Sequence, residues 1–147
     1  MCIIVDVNVA SKVLLTPDDP DFRDVYISLF KNKKPKASLV YGGKLLDEYS
    51  RNLAVRRMLA ILDRAGRTRK IDDDAVEKEI EIVIQIGSCI SNDKHIIALA
   101  RVGNTRLLCS HDKALHADFT NKALLDKPRG KVYQNRGHKK LLERFCG

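Results

Sequence analysis

SNDKHIIALARVGNTRLLCSHD, residues 91–112, is the stretch whose reading decides the fold. It reads as a helix, a short turn and a buried strand. Asn92 is placed to cap the helix, and Asp93 falls in its first turn, where a carboxylate suits the positive end of the dipole. Ile96, Leu99 and Ala100 recur at helical spacing. Gly103 and Asn104 both tolerate positive φ and end the helix. TRLLC, residues 105–109, then reads as an apolar strand, with Ser110, His111 and Asp112 directly behind it. In an α/β layer a helix and the strand after it run in opposite directions. Asp93 and Asp112 therefore lie at one edge of the sheet, outside the carboxyl ends of the strands, where open α/β sheets bind ligands.

Working outward, the question is which other acids reach that edge. CIIVDV, residues 2–7, is a nearly continuous apolar run and reads as a buried central strand ending at Asp6. A carboxylate there is costly unless it reaches the sheet edge and meets a cation. Asn8 follows, and a helix is expected over 9–15. A second helix is expected over 21–30, then the basic loop KNKKPK, residues 31–36, open to a reading as solvated connector or as phosphate contact. Residues 37–41 read as a strand closed by Gly42 and Gly43. The longest helical stretch is 44–65. Leu45, Leu46, Tyr49 and Leu53 form its stripe, continued with some rotation by Val55, Met58, Leu59 and Leu62. Glu48 lies in its first two turns. Alone, it is a surface ion-pair partner for Arg51 or Lys44, worth little. The topology brings the start of its helix to the same carboxyl edge.

Residues 66–70 read as a basic turn. Asp72, Asp73 and Asp74 open a further helix, and capping and solvation explain them better than metal ligation. Downstream, a short helix or turn over 113–119, a loop over 124–130, a short strand over 131–134 and a helix over 137–145 complete the chain.

At 147 residues the chain suits one domain with a proper core. Its 27 basic residues exceed 19 acidic ones, a net charge of +8 that favours a polyanionic partner, nucleic acid first. No apolar run approaches membrane-spanning length and no signal peptide is evident, so a cytoplasmic protein without a membrane partner is expected. The four cysteines form no C-x-x-C pair, which disfavours a zinc site, and three in apolar surroundings are expected to be buried, reduced thiols.

Asp6, Glu48, Asp93 and Asp112 thus converge by topology. Packed carboxylates repel one another unless something compensates them. A hard divalent cation with oxygen ligands does so, and Mg²⁺ or Mn²⁺ fits better than zinc. IIVDVN around Asp6, LLDEY around Glu48, NDKHIIALA around Asp93 and LLCSHD around Asp112 occur in the order and spacing of the PIN-domain ribonucleases, and the chain resembles that family over nearly its whole length. The resemblance implies a three-layer α/β/α fold with a central, mainly parallel sheet, forming a single domain over 1–147. It implies metal-dependent cleavage of single-stranded or loop RNA. The four acids would be catalytic and metal-binding, with Asn8 and Ser110 supporting them. Many members are VapC-type toxins, so an antitoxin protein and a second copy of the chain join RNA among the expected partners. RNA would lie on Lys31, Lys33, Lys34, Lys36, Arg51, Arg136, Lys139 and Lys140. One departure stands out: where many members carry another acid two positions after the last aspartate, this chain has Ala114. Asp118 is the nearest substitute. His111 is open to a general-base role but reads better as a polar loop histidine. The alternative is a catalytically weak or inactive RNA-binding or assembly module of the same fold.

Overall fold

The computed structural model describes residues 2–32 and 37–146. The chain is mixed α/β. Among the described residues, five short strands, β1 (Ile4–Val5), β2 (Leu39–Tyr41), β3 (Thr68–Lys70), β4 (Leu107–Cys109) and β5 (Lys131–Tyr133), are interspersed with helices. Every strand pairing is parallel. β4 lies between β1 and β5, and β2 pairs with β3. An isolated parallel bridge between Ile3 and Leu39, with the Val40 N–H donating to the Ile3 carbonyl at 2.9 Å, joins the two sheets along β1 and β2. Strands β1, β2 and β4 are buried apolar runs, β5 buries Val132 and Tyr133 behind a half-buried Lys131, and β3 differs from them all. That strand is TRK, exposed at the sheet edge, and its charges carry no strand alternation. The expected basic turn over 66–70 is therefore an edge strand.

The helices are α1 (Val7–Ala10, continued by a wider π turn over Ser11–Leu15), α2 (Arg23–Phe30), α3 (Gly43–Ser50), α4 (Leu53–Arg64), α5 (Asp73–Ile86), α6 (Lys94–Val102), α7 (Lys113–Phe119) and α8 (Lys139–Cys146). The single helix expected over 44–65 is two. Asn52 is extended, and its Oδ1 accepts the amides of Ala54 and Val55 at 3.0 and 3.2 Å, starting α4 afresh. The rotation of the apolar stripe was the trace of this break. Asp72 caps α5 through the Ala75 amide, so the three-aspartate run is helix-start chemistry.

The helix, turn and strand expected over 91–112 are present, with two corrections. Asp93, not Asn92, takes the cap position of α6, and its side chain makes no capping bond. Gly103 has φ in the ordinary range, and only Asn104 is left-handed, at φ 47°. Gly103 serves close approach instead: a Cβ there would stand 2.9 Å from the Leu99 carbonyl and 3.1 Å from Val40 Cγ1. Helix α6 is buried on every side from His95 to Ala100, which a one-face reading understates.

One hydrophobic cluster runs through the fold, from Cys2 and β1 to Leu142 and Cys146 of α8. Cys2 and Cys146 are joined as a disulfide across 144 residues of sequence, whereas Cys89 and Cys109 are free. Of the three buried, reduced thiols expected, only Cys109 is both buried and free; Cys89 is free but half-buried, and Cys2 and Cys146 are paired. No helix among the described residues is long and apolar enough to cross a membrane.

Candidate active site

Parallel pairing puts the ends of β1 and β4 side by side. The Asp6 amide donates to the Cys109 carbonyl at 2.9 Å, one residue beyond the strands, and Asp6 is buried at 4% exposure. Ser110 is fully buried beside it, and its hydroxyl donates to Asp6 Oδ2 at 2.7 Å. The same Oγ accepts the Asp112 amide at 3.0 Å and the Asn8 amide group at 3.5 Å, and Asn8 Oδ1 accepts the His111 amide at 3.3 Å. Asn8 and Ser110 therefore brace Asp6 and the turn that carries Asp112. Asp112 Oδ1 accepts the amides of Ala114 and Leu115 at 2.9 and 3.2 Å, so this carboxylate also caps α7.

Glu48 arrives from α3. Beside it Tyr49 is fully buried, and its hydroxyl donates to the Val5 carbonyl, fastening this helix to the end of β1. Glu48 pairs with neither Arg51 nor Lys44 in the structure; its Oε1 stands 2.9 Å from His95 Nε2. His95, on α6, is 5% exposed and holds its Nδ1 4.0 Å from Asp93 Oδ1. It is the site residue that reading for acids passed over. A histidine two positions after Asp93, on an otherwise apolar helix, was the available signal.

Asp6 and Asp93 feel the charge of neighbouring acids. Burial raises the pKa of Asp6; the Ser110 hydroxyl and the Val7 amide oppose this, and the charge of Glu48 adds to it. Burial also raises that of Asp93, with the charge of Asp6, a hydrogen bond to Asp112 and the charge of Asp112 working in the same direction, against His95. A free cluster of this kind favours protons, or a cation in their place. The donor chemistry suits a hard divalent ion. Yet among the described residues no three acidic, histidine or cysteine side chains stand close enough to hold one as they are. Several oxygens are already occupied by Ser110, His95 and the α7 amides, so ligation requires side chains to turn.

No family model matches the chain, nor does any curated protein or solved structure. The site must be read from its own residues.

Asp118 does not fill the place left by Ala114. Its carboxylate accepts the amides of Ile90 and Ser91 at 2.9 and 2.8 Å and the Cys89 thiol at 3.1 Å. Burial works to raise its pKa, but these bonds outweigh it and the net shift is downward. It is the anchor of the segment before α6. The Cys89 thiol is pushed up to about 11, first by burial and then by Asp118.

His111 is exposed, and its ring stands edge-on to Phe22 at 5.8 Å. Phe22 lies 6.1 Å from Tyr133, which lies 6.1 Å from His138, so a line of rings leads from the end of β4 to the basic tail. There Arg136 and Lys139 line a cleft of about 460 Å³ with Arg23, Asp18 and Asp24, and Lys139 Nζ is 4.0 Å from Asp24 Oδ1. Arg23 is a cation that the sequence reading did not name. Lys31, Arg51 and Lys140 are exposed, at the ends of α2 and α3 and on α8. Lys33, Lys34 and Lys36 lie outside the described residues.

Proposed function

We propose that this protein is a PIN-like, Mg²⁺- or Mn²⁺-dependent endoribonuclease with a three-layer α/β/α fold, cutting single-stranded or loop RNA. The observation that carries the reading is the meeting of Asp6, Glu48, Asp93 and Asp112, from four separate parts of the chain, at the carboxyl ends of parallel strands, with Asp6 and Asp93 both raised in pKa. Asp6 and Asp112 are the principal ligand candidates, with Glu48 and Asp93 completing the set. A bound divalent ion supplies an activated water and offsets the charge growing on the phosphoryl oxygens. The chain's own residues do the rest. Ser110 and Asn8 keep Asp6 and the 110–112 turn in register. Burial of Asp6 keeps its charge strong at short range, since a low dielectric weakens screening. The exposed cations Lys31, Arg51, Arg136, Lys139 and Lys140 hold the phosphates on either side, with Lys33, Lys34 and Lys36 as further candidates. Cytoplasmic residence, an antitoxin partner and a homodimer belong to the same reading; exposed Leu53 and Ile61 on α4 and Ile82 and Ile84 on α5 offer apolar surface for a protein partner.

A second reading has its own support. Ala114 stands where a further acid is usual, and Asp118 is committed elsewhere. Both favour a catalytically weak or inactive RNA-binding or assembly module. Incubating the purified protein with a short single-stranded RNA, with Mn²⁺ and then with excess chelator, separates the two. The nuclease reading expects internal cleavage with Mn²⁺, leaving 5′-phosphate and 3′-hydroxyl ends, and none with chelator. Binding without cleavage under every metal condition supports the module.

A further inference from the structure

Helix α6, which follows Asp93, carries a buried polar side chain that reaches across to another helix. His95 is buried, and its Nε2 lies 2.9 Å from Glu48 Oε1, a residue 47 positions away on α3. With the carboxylate oxygen accepting, the donor in this contact is an imidazole N–H on Nε2. Glu48 is itself 18% exposed. A glutamate side chain has much rotamer freedom to lose on being fixed. The imidazole does not share that freedom, because the apolar residues that follow it on α6, Ile96 to Ala100, are all buried and hold the helix in place.

We propose that His95 is the positioning residue for Glu48: by donating to Oε1 it holds the carboxylate in one orientation and presents Oε2 to the reaction. This rests on the ribonuclease reading above and adds to it a hydrogen-bond donor outside the acid set. Outer partners that orient carboxylates and imidazoles in this way commonly matter nearly as much as the ligands they hold.

The test uses His95→Leu, which removes the donor at similar bulk, His95→Gln, which keeps an N–H at similar reach, Glu48→Gln, and His95→Leu combined with Glu48→Gln. Three quantities are read: kcat and KM on a short single-stranded RNA with Mn²⁺, the Mn²⁺ affinity of each protein alone by calorimetry, and far-ultraviolet circular dichroism for folding. His95→Leu is expected to lower kcat by about 10- to 100-fold, with KM for RNA unchanged and Mn²⁺ bound more weakly. His95→Gln should recover most of kcat, an outcome a purely structural role does not produce. In the Glu48→Gln background His95→Leu should add nothing, because it acts through Glu48. Wild-type protein that cleaves while His95→Leu matches it in kcat and Mn²⁺ affinity would overturn the inference and leave the ribonuclease reading standing. So would losses that multiply in the double variant. Wild-type protein that neither binds Mn²⁺ nor cleaves overturns both. If His95→Leu does not fold, a folded His95→Gln as inactive as Glu48→Gln counts against the proposal, and one near wild-type activity counts for it.

Discussion

Asp6 bears the electrostatic cost of the site. Burial raises its pKa above the ordinary 3.8, and Glu48 adds to the strain. A carboxyl raised in the folded state favours folding most below its ordinary value, and this advantage is lost as pH rises through the raised value. At neutral pH, without metal, Asp6 is therefore a net liability. Asp6→Asn should raise the melting temperature of the metal-free protein near neutral pH, and the gain should vanish below pH 3.8, which thermal unfolding at the two pH values would reveal. Asp118 has the opposite sign. Its lowered pKa contributes stability above the ordinary value, lost as pH falls through the folded one. Asp118→Ala should cost about 2 kcal/mol near neutral pH, from amides left unpaired, with cleavage per folded molecule retained. Urea unfolding at neutral and acid pH checks both the magnitude and the sign.

Among the elements, the junction between α3 and α4 gives the sharpest local test. Asn52→Ala removes both bonds that restart the helix and should cost about 1 kcal/mol, read as a lower urea midpoint with an unchanged slope. This junction was hidden in the sequence because helical periodicity continues on both sides of it, and a cap residue in a polar pair such as Arg51–Asn52 looks like an ordinary surface position. Strand β3 was hidden for a related reason: an edge strand needs only backbone bonds on one side, so TRK carries no pattern. By contrast β1, β2 and β4 are buried on both faces and had to be written as unbroken apolar runs, which made them legible. The same logic divides the candidate site. Asp6 and Asp112 could be placed from strand ends alone and Asp93 from a helix start, whereas Glu48, expected near the start of a long helix, lies in the last turn of the short α3. His95 pairing with Glu48 depends on how closely two helices approach, and no local spacing encodes that.

On the scale of the whole molecule, the disulfide ties the first strand to the last helix. Denatured, unreduced protein should therefore expose two titratable thiols, those of Cys89 and Cys109, and four after reduction. Four without reductant would remove the tie. The positive excess is a second property of the whole: RNA affinity should fall with salt, each lost phosphate contact lowering the slope by about 0.7 for a single strand. Neutralising Arg136 and Lys139 together should flatten that slope without removing metal dependence. The central claim is that the acids gathered at the strand ends make the reaction. It is tested most directly by comparing Mn²⁺-dependent cleavage of one short RNA by wild-type protein, Asp6→Asn and Asp112→Asn, purified identically and shown to be folded. The account predicts cleavage by the wild type and a loss beyond about 100-fold in both variants, more than outer-shell changes usually cause. Equal cleavage by all three proteins would contradict it.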